Sequence, residues 1–220
     1  MRALVTGGAK RLGREISVYL ANRGYDVAVH YNSSKNEALD VAKEINSQGR
    51  LSECLKCDLL IEDQVKALVP LASEALGGPI SMLVNNASIF EHDSFDDATR
   101  ASWDRHMESN LRAPFVLTQA FSKQSPSPIL DKKNEPISQG LVLNMIDQRV
   151  KKLTPDFASY TIAKMGLWAM TQTAARALAP NIRVNAIGPG PTLIGARQKE
   201  YHFDGPVSYT HLTLPTNREV

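Results

Sequence analysis

Short apolar runs alternate with longer stretches in which apolar side chains return every third or fourth position, and this alternation extends over most of the chain. Ala3-Leu4-Val5 leads into a glycine turn, after which Leu12, Ile16, Tyr19 and Leu20 fall at helical spacing until Gly24 supplies a stop. Val27 to Tyr31 predicts a second strand, and Ser33 or Ser34 caps a helix that carries Ala38, Val41, Ala42 and Ile45 on one side. Leu51 to Cys57 predicts a third strand, Glu62 to Leu76 a helix kinked or shortened by Pro70, and Ile80 to Val84 a fourth strand closed by Asn85-Asn86-Ala87. Further helices are predicted over Arg100 to Phe121 and Ser159 to Leu178, and strands over Leu141 to Ile146 and Ile182 to Ile187. Ser122 to Gln139, with Pro126, Pro128 and Pro136 among polar residues, reads as a surface insertion. Helices between short β-rich runs mean parallel strands with crossover helices, so the expected fold is α/β: a doubly wound, mostly parallel sheet with helices on both faces, in one domain over 1–206.

The regular pattern stops after Gly205. Val207 to Thr216 resembles the translation of a transposon-end sequencing adapter, so 207–220 is expected to be a non-native tail, with a natural tail as the alternative. Of the 220 residues 43% are hydrophobic, and 25 Lys and Arg against 23 Asp and Glu leave a net charge of +2, with no basic block longer than Lys132-Lys133. That balance implies neither a nucleic acid nor an anionic membrane as partner. No apolar run approaches the roughly 18 residues of a membrane span, and Met1 to Gly7 enters a strand at once, so a cytoplasmic protein is expected. Cys54 and Cys57 form a lone C-x-x-C without the second pair that zinc needs; they read as core or edge thiols, and no metal site is assigned.

Chemistry enters at the turns. Thr6-Gly7-Gly8-Ala9-Lys10-Arg11-Leu12-Gly13 lies between the first strand and the first helix, where glycines allow a tight turn and bring the helix N-terminus up to a pyrophosphate; a purely structural βα loop is the other reading. An NAD enzyme would place an acid near the end of the second strand to accept from the ribose 2′-hydroxyl, yet His30-Tyr31-Asn32-Ser33-Ser34 contains none. Lys10, Arg11, His30 and the Ser33 and Ser34 hydroxyls and amides could instead meet a 2′-phosphate, which favours NADP(H). Asp58, before Leu59, either accepts from the adenine amino group or caps the turn that follows. Tyr160 and Lys164 stand four residues apart on one helix face, where a Lys cation would draw the phenol pKa down for proton exchange. Asp147 ends the strand before them, and the ends of parallel strands are where ligands bind such sheets.

Together with Asn85-Asn86-Ala87-Ser88, Asn110 inside Ser109-Asn110-Leu111, and Ile187-Gly188-Pro189-Gly190, these signals resemble the short-chain dehydrogenase/reductase family over Leu4 to about Phe203. The resemblance implies a Rossmann-type fold with Tyr160 as proton donor, Lys164 on the nicotinamide ribose, and Asn110 anchoring a relay water. It also implies a cofactor lying along Gly7, Leu12, Gly13, Leu59, Asn86, Ala87 and Ser88 and bordered by Pro189 and Gly190. Beyond Phe203 such a family would supply a last strand and substrate-side helices, expected to be missing here, so a cofactor-binding fragment without activity is one alternative. A homotetramer is the implied full-length assembly. Arg11 where Gly is usual, Asp147 where Ser is usual, Ser88 and Phe90 resemble the pteridine and dihydromonapterin/dihydrofolate reductases of the family. Phe90 could stack on a flat pterin, Arg11 could bond phosphate and ring, Asp147 could help protonate a ring nitrogen, and Ser88 and Tyr160 would border the same substrate. Asp147 paired with Arg149 or capping the next loop, and Phe90 as ordinary core, are the plainer readings. A carbonyl reductase of 3-oxoacyl or sugar type is the other enzymatic alternative.

Overall fold

The computed structural model describes residues 1–190; the expectations for 207–220, and for the chain past Phe203, fall outside them. In chain order the elements are β1 (Arg2–Val5), α1 (Arg11–Asn22), β2 (Asp26–Tyr31), α2 (Lys35–Ser47), β3 (Ser52–Lys56), α3 (Glu62–Ala75), β4 (Met82–Asn85), α4 (Arg100–Met107), α5 (Ala113–Gln124), β5 (Ile129–Leu130), β6 (Pro136–Ile137), β7 (Gly140–Met145), α6 (Ala158–Leu178) and β8 (Ile182–Ile187). Six strands form one sheet in the order β3-β2-β1-β4-β7-β8, and every pairing in it is parallel. β5 and β6 make a small antiparallel hairpin inside the expected insertion, whose first residues belong instead to the end of α5. Strand order reverses between β1 and β4, and the carboxyl ends of the strands at such a reversal form a crevice.

Side chains alternate across the sheet, and each set has its own core. Val5, Val27, Val29 and Val84 pack with Leu20 of α1 and with Val41 and Ile45 of α2. Leu4, Ala28, Leu83, Val142 and Val184 pack with Leu68 and Val69 of α3 and with Leu117 and Phe121 of α5. Strands buried on both faces explain why their sequences read as continuous apolar runs.

Three elements depart from the pattern. Tyr19 is 56% exposed while Gly13 and Ser17 are buried, because α1 must approach the glycine turn closely; Ser17 Oγ donates to the Gly13 carbonyl at 2.8 Å. Pro70 does not end α3, which continues to Ala75: Pro70 is exposed, and Val65, Leu68, Val69 and Ala72 hold both halves of the helix in the core. Packing there outweighs the lost amide. The single helix expected over Arg100 to Phe121 is α4 and α5 joined by a π-helical turn, Glu108–Arg112. Pro114 offers no N–H to the Asn110 carbonyl four residues earlier, so a regular α ladder cannot run through this point.

Candidate active site

The crevice is a cleft of about 790 Å³, within the range of small-molecule sites. Its floor is the turn between β1 and α1. Gly7 has φ of +61° and donates its N–H to His30 Nδ1 at 2.9 Å. A Cβ on Gly13 would stand 2.0 Å from the Gly7 carbonyl oxygen, so only glycine lets the two backbones touch. Arg11 occupies the left-handed region at φ of +50°, which accounts for glycine being usual there. The Lys10 side chain at the N-cap of α1 makes no cap bond and the first turn of the helix has no acid, which suits an anion at this helix end.

Above the turn, Thr6 splices β1 to β4. Its hydroxyl donates to the Val84 carbonyl at 3.2 Å and accepts from the Asn86 and Ala87 amides at 2.9 and 3.0 Å. Asn86 Nδ2 in turn donates to the Thr6 and Gly7 carbonyls at 2.8 and 3.2 Å. Asn86 therefore holds the glycine turn in shape as well as facing the cleft. Thr6 went unassigned in the sequence, where a threonine before two glycines carries no distinctive signal.

The residues expected to meet a 2′-phosphate are only partly brought together. Gly7, Lys10, Arg11, Leu12, Gly13, His30, Asn32, Asp58, Leu59, Asn86, Ala87 and Ser88 line the cleft. Tyr31 is buried in the core, and Ser33 and Ser34 lie outside the lining. His30 cannot supply charge. It is buried, its Nδ1 accepts from Gly7, and its Nε2 therefore carries the proton and donates to the Cys57 carbonyl at 3.0 Å. Burial pushes its pKa down to about 4, leaving a neutral strut between the turn, β2 and the end of β3. Lys10 Nζ pairs with Glu37 at 2.6 Å. Asp58 faces the cleft, but its Oδ1 accepts from the Leu60 amide at 3.0 Å, as the turn-capping reading expects.

Across the cleft, α6 presents Tyr160 and Lys164, both buried, and the end of β7 presents Asp147. The Tyr160 hydroxyl donates to Asp147 Oδ2 at 2.8 Å, while Asp147 Oδ1 accepts from the Arg149 amide at 2.8 Å. The carboxylate thus both caps the following turn and holds the phenol. Lys164 Nζ donates to the Met145 carbonyl at 2.8 Å and lies 5.7 Å from the Tyr160 ring centroid. Burial pushes the ammonium down to about 8, against the pull of Asp147. The phenol moves opposite to expectation: burial raises its pKa above the ordinary value, and the charge and hydrogen bond of Asp147 raise it further. Burial and a carboxylate in contact both disfavour the phenolate.

Phe90 is 44% exposed and is not core. Its ring stacks on Phe157 at 4.3 Å and 12° and meets Tyr160 edge-on at 4.7 Å, and the Arg149 guanidinium lies 4.7 Å over Phe157. Ser88 lines the cleft beside it, and Pro189 and Gly190 close it. Asn110, on the π-helical turn, is buried and lies outside the lining. Its Oδ1 accepts from the Ile89 amide and its Nδ2 donates to the Ile89 carbonyl, both at 2.8 Å. The side chain clamps the loop that carries Phe90. Arg105, Gln148, Arg149 and Phe157 are further residues in or against the cleft that periodicity did not reveal.

A parallel sheet with a glycine turn at its switch point, facing a Tyr and a Lys one helical turn apart, defines a dinucleotide-dependent oxidoreductase. The chain matches the short chain dehydrogenase family over residues 1–204 and belongs to that family. It is similar to the solved structure of FolM alternative dihydrofolate reductase 1 from Brucella canis complexed with NADP. The two are 45% identical with a TM-score of 0.85, over 94% of this chain and 78% of that one. A blue fluorescent protein from a metagenomic library, in complex with NADPH, is 32% identical with a TM-score of 0.78, over 86% of this chain and 74% of that one. Among curated proteins, the 3-oxoacyl-[acyl-carrier-protein] reductase FabG of Staphylococcus epidermidis is 33% identical, over 86% of this chain and 73% of its own length. Among the described residues, no helix is long and apolar enough to cross a membrane.

Proposed function

We propose that this chain is a cytoplasmic NADPH-dependent reductase acting on the C=N bond of a pteridine or dihydrofolate-type small molecule. The observation that carries the reading is the Tyr160 hydroxyl donating to Asp147 in a cleft walled by Phe90. A carbonyl reductase develops negative charge on oxygen and profits from a neutral donor, whereas a carboxylate at 147 would repel it. A ring nitrogen needs a proton, and a carboxyl–phenol pair is suited to providing one. Phe90, with Phe157 stacked on it, gives the cleft an aromatic wall of the kind that suits a flat ring.

The residues present fit NADP(H). The uncapped α1 N-terminus and Arg11 suit the phosphates, the Gly7–Gly13 contact lets backbone approach them, and Asn32 stands at the end of β2 where an acid would select NAD. NADPH bound there supplies the hydride that, with one proton, reduces C=N to CH–NH. On the protein side, Asp147 aims the Tyr160 hydroxyl hydrogen until a substrate nitrogen replaces it as acceptor. The raised phenol pKa keeps that hydrogen in place at neutral pH, and the Lys164 cation compensates the charge left when it departs. Asn110 has both side-chain atoms bonded to Ile89, so a relay water would be anchored through its backbone carbonyl.

Similarity to the 3-oxoacyl reductase keeps carbonyl reduction as the second reading. NADPH consumption with dihydrobiopterin, dihydromonapterin or dihydrofolate, set against a 3-oxoacyl thioester, tests the two. Pterin or folate turnover is expected, and faster thioester reduction would overturn the proposal.

A further inference from the structure

The loop between β4 and α4 carries Phe90 and, three residues on, Asp93, which is buried. α6 begins after Phe157, a left-handed residue whose side chain makes no cap bond. The open donors of this helix end are taken from across the fold by Asp93. Its carbonyl accepts from the Ala158 amide at 3.1 Å, its Oδ1 from the Ser159 amide at 3.1 Å, and its Oδ2 from the Ser159 hydroxyl. His106 of α4, also buried, places Nδ1 2.6 Å from Ser159 Oγ, and its Nε2 accepts from the Glu91 amide at 3.1 Å.

The direction of this chain is forced. A backbone N–H can only donate, so His106 Nε2 is an acceptor and the ring hydrogen is on Nδ1. Nδ1 then donates to Ser159 Oγ, and the Ser159 hydroxyl hydrogen goes to Asp93. Burial lowers the His106 pKa and keeps the ring neutral. Burial also works to raise the Asp93 carboxyl, but the bonds from Ser159, with a further one from Ser102 and the field of His106, together outweigh it and hold the group below its ordinary value, as a carboxylate. None of the three lines the cleft among the described residues, yet Tyr160 directly follows Ser159 and its ring lies 5.9 Å from that of His106. A serine or asparagine at the helix start would cap α6 locally. A cap brought from the Phe90 loop does something a local cap cannot, because it ties the substrate-side wall to the helix that carries the proton donor.

We infer that Asp93, Ser159 and His106 are positioning residues: a one-way hydrogen-bond chain that sets the Tyr160 hydroxyl in register with Phe90 and Asp147. The inference rests on Tyr160 being the proton donor, so Tyr160→Phe is assayed beside the other variants, with whichever substrate the wild type reduces. Ser159→Ala is expected to lower kcat by between about tenfold and a hundredfold, to raise the solvent deuterium isotope effect as proton transfer becomes limiting, and to leave NADPH affinity by fluorescence titration unchanged. Asp93→Asn keeps the shape but turns an acceptor of the Ser159 hydroxyl into a donor, and is expected to show the same pattern. His106→Asn, whose amide can stand where Nδ1 stands, is expected to retain more activity than His106→Leu. If Tyr160→Phe is inactive while Ser159→Ala and Asp93→Asn keep wild-type kcat and isotope effect, the inference fails and the donor assignment stands. If Tyr160→Phe is active, the donor assignment itself fails. A loss of kcat that only follows equal losses of thermal midpoint and NADPH affinity in both variants would make the chain structural and overturn the inference.

Discussion

Protonating His30 removes the acceptor for the Gly7 amide and places a charge where the fold admits none. Its pKa falls from an ordinary 6.5 to about 4 on folding, so between those values the unfolded chain binds a proton that the folded one refuses. Stability is complete above about pH 6.5 and is lost as pH falls through about 4. At about 1.4 kcal/mol per tenfold, the whole gap is worth about 3 kcal/mol, of which about 2 is already lost at about pH 5. The group is buried, so solvent screening does not reduce the figure. His30→Asn keeps an acceptor for Gly7 and removes the titration, and urea unfolding of both proteins at about pH 8 and pH 5 isolates the effect. His106, whose pKa burial also lowers, is present in both and drops out of the difference. Wild type should lose about 2 kcal/mol more than the variant over this interval; parallel losses would refute the assignment of His30 as a neutral strut.

Gly13→Ala forces a Cβ to within 2.0 Å of the Gly7 oxygen and should cost about 3 kcal/mol in denaturant unfolding; NADPH fluorescence titration should show binding abolished. With Lys164 at about 8, kcat should decline above about pH 8 as the compensating cation is lost, and Lys164→Arg should move that limb beyond the accessible range at a lower rate, checked by a pH–rate profile. Asp147→Asn should reduce pterin turnover by about 10²–10⁴-fold with NADPH affinity unchanged, and full activity in steady-state assays would remove Asp147 from proton delivery.

The alternation of strand and helix was legible because strands buried on both faces must be apolar throughout: Ala38, Val41, Ala42 and Ile45 are the buried stripe of α2, and β8 has the bounds its apolar run suggests. Tyr160, Lys164 and Asp147 were legible because they sit at element ends facing the switch point. Burial-dependent chemistry was not. His30 reads as a donor in sequence and becomes a neutral strut only when β3 brings the Cys57 carbonyl beside it. The phenol pKa was assigned from its lysine, but burial, together with the charge and hydrogen bond of Asp147 from 13 residues away, moves it the other way. Asp93 and Ser159 are 66 positions apart, and no local period connects them. Pro70 and Tyr19 departed from pattern because packing and close backbone approach act above the level of helical spacing.

β1, one of the two strands at the middle of the sheet, is completed late in synthesis. β1 pairs with Asp26–Val29 on one side and with Met82–Val84 on the other. During synthesis the first pairing can close as soon as β2 leaves the ribosome, but the second edge of β1 stays unsatisfied until β4 arrives, some fifty residues later. Over that interval the nascent protein offers Ala3, Leu4 and Val5 as an open, apolar, hydrogen-bonding edge. A strand paired along both edges in the finished enzyme is therefore open to mispairing while the enzyme is being made.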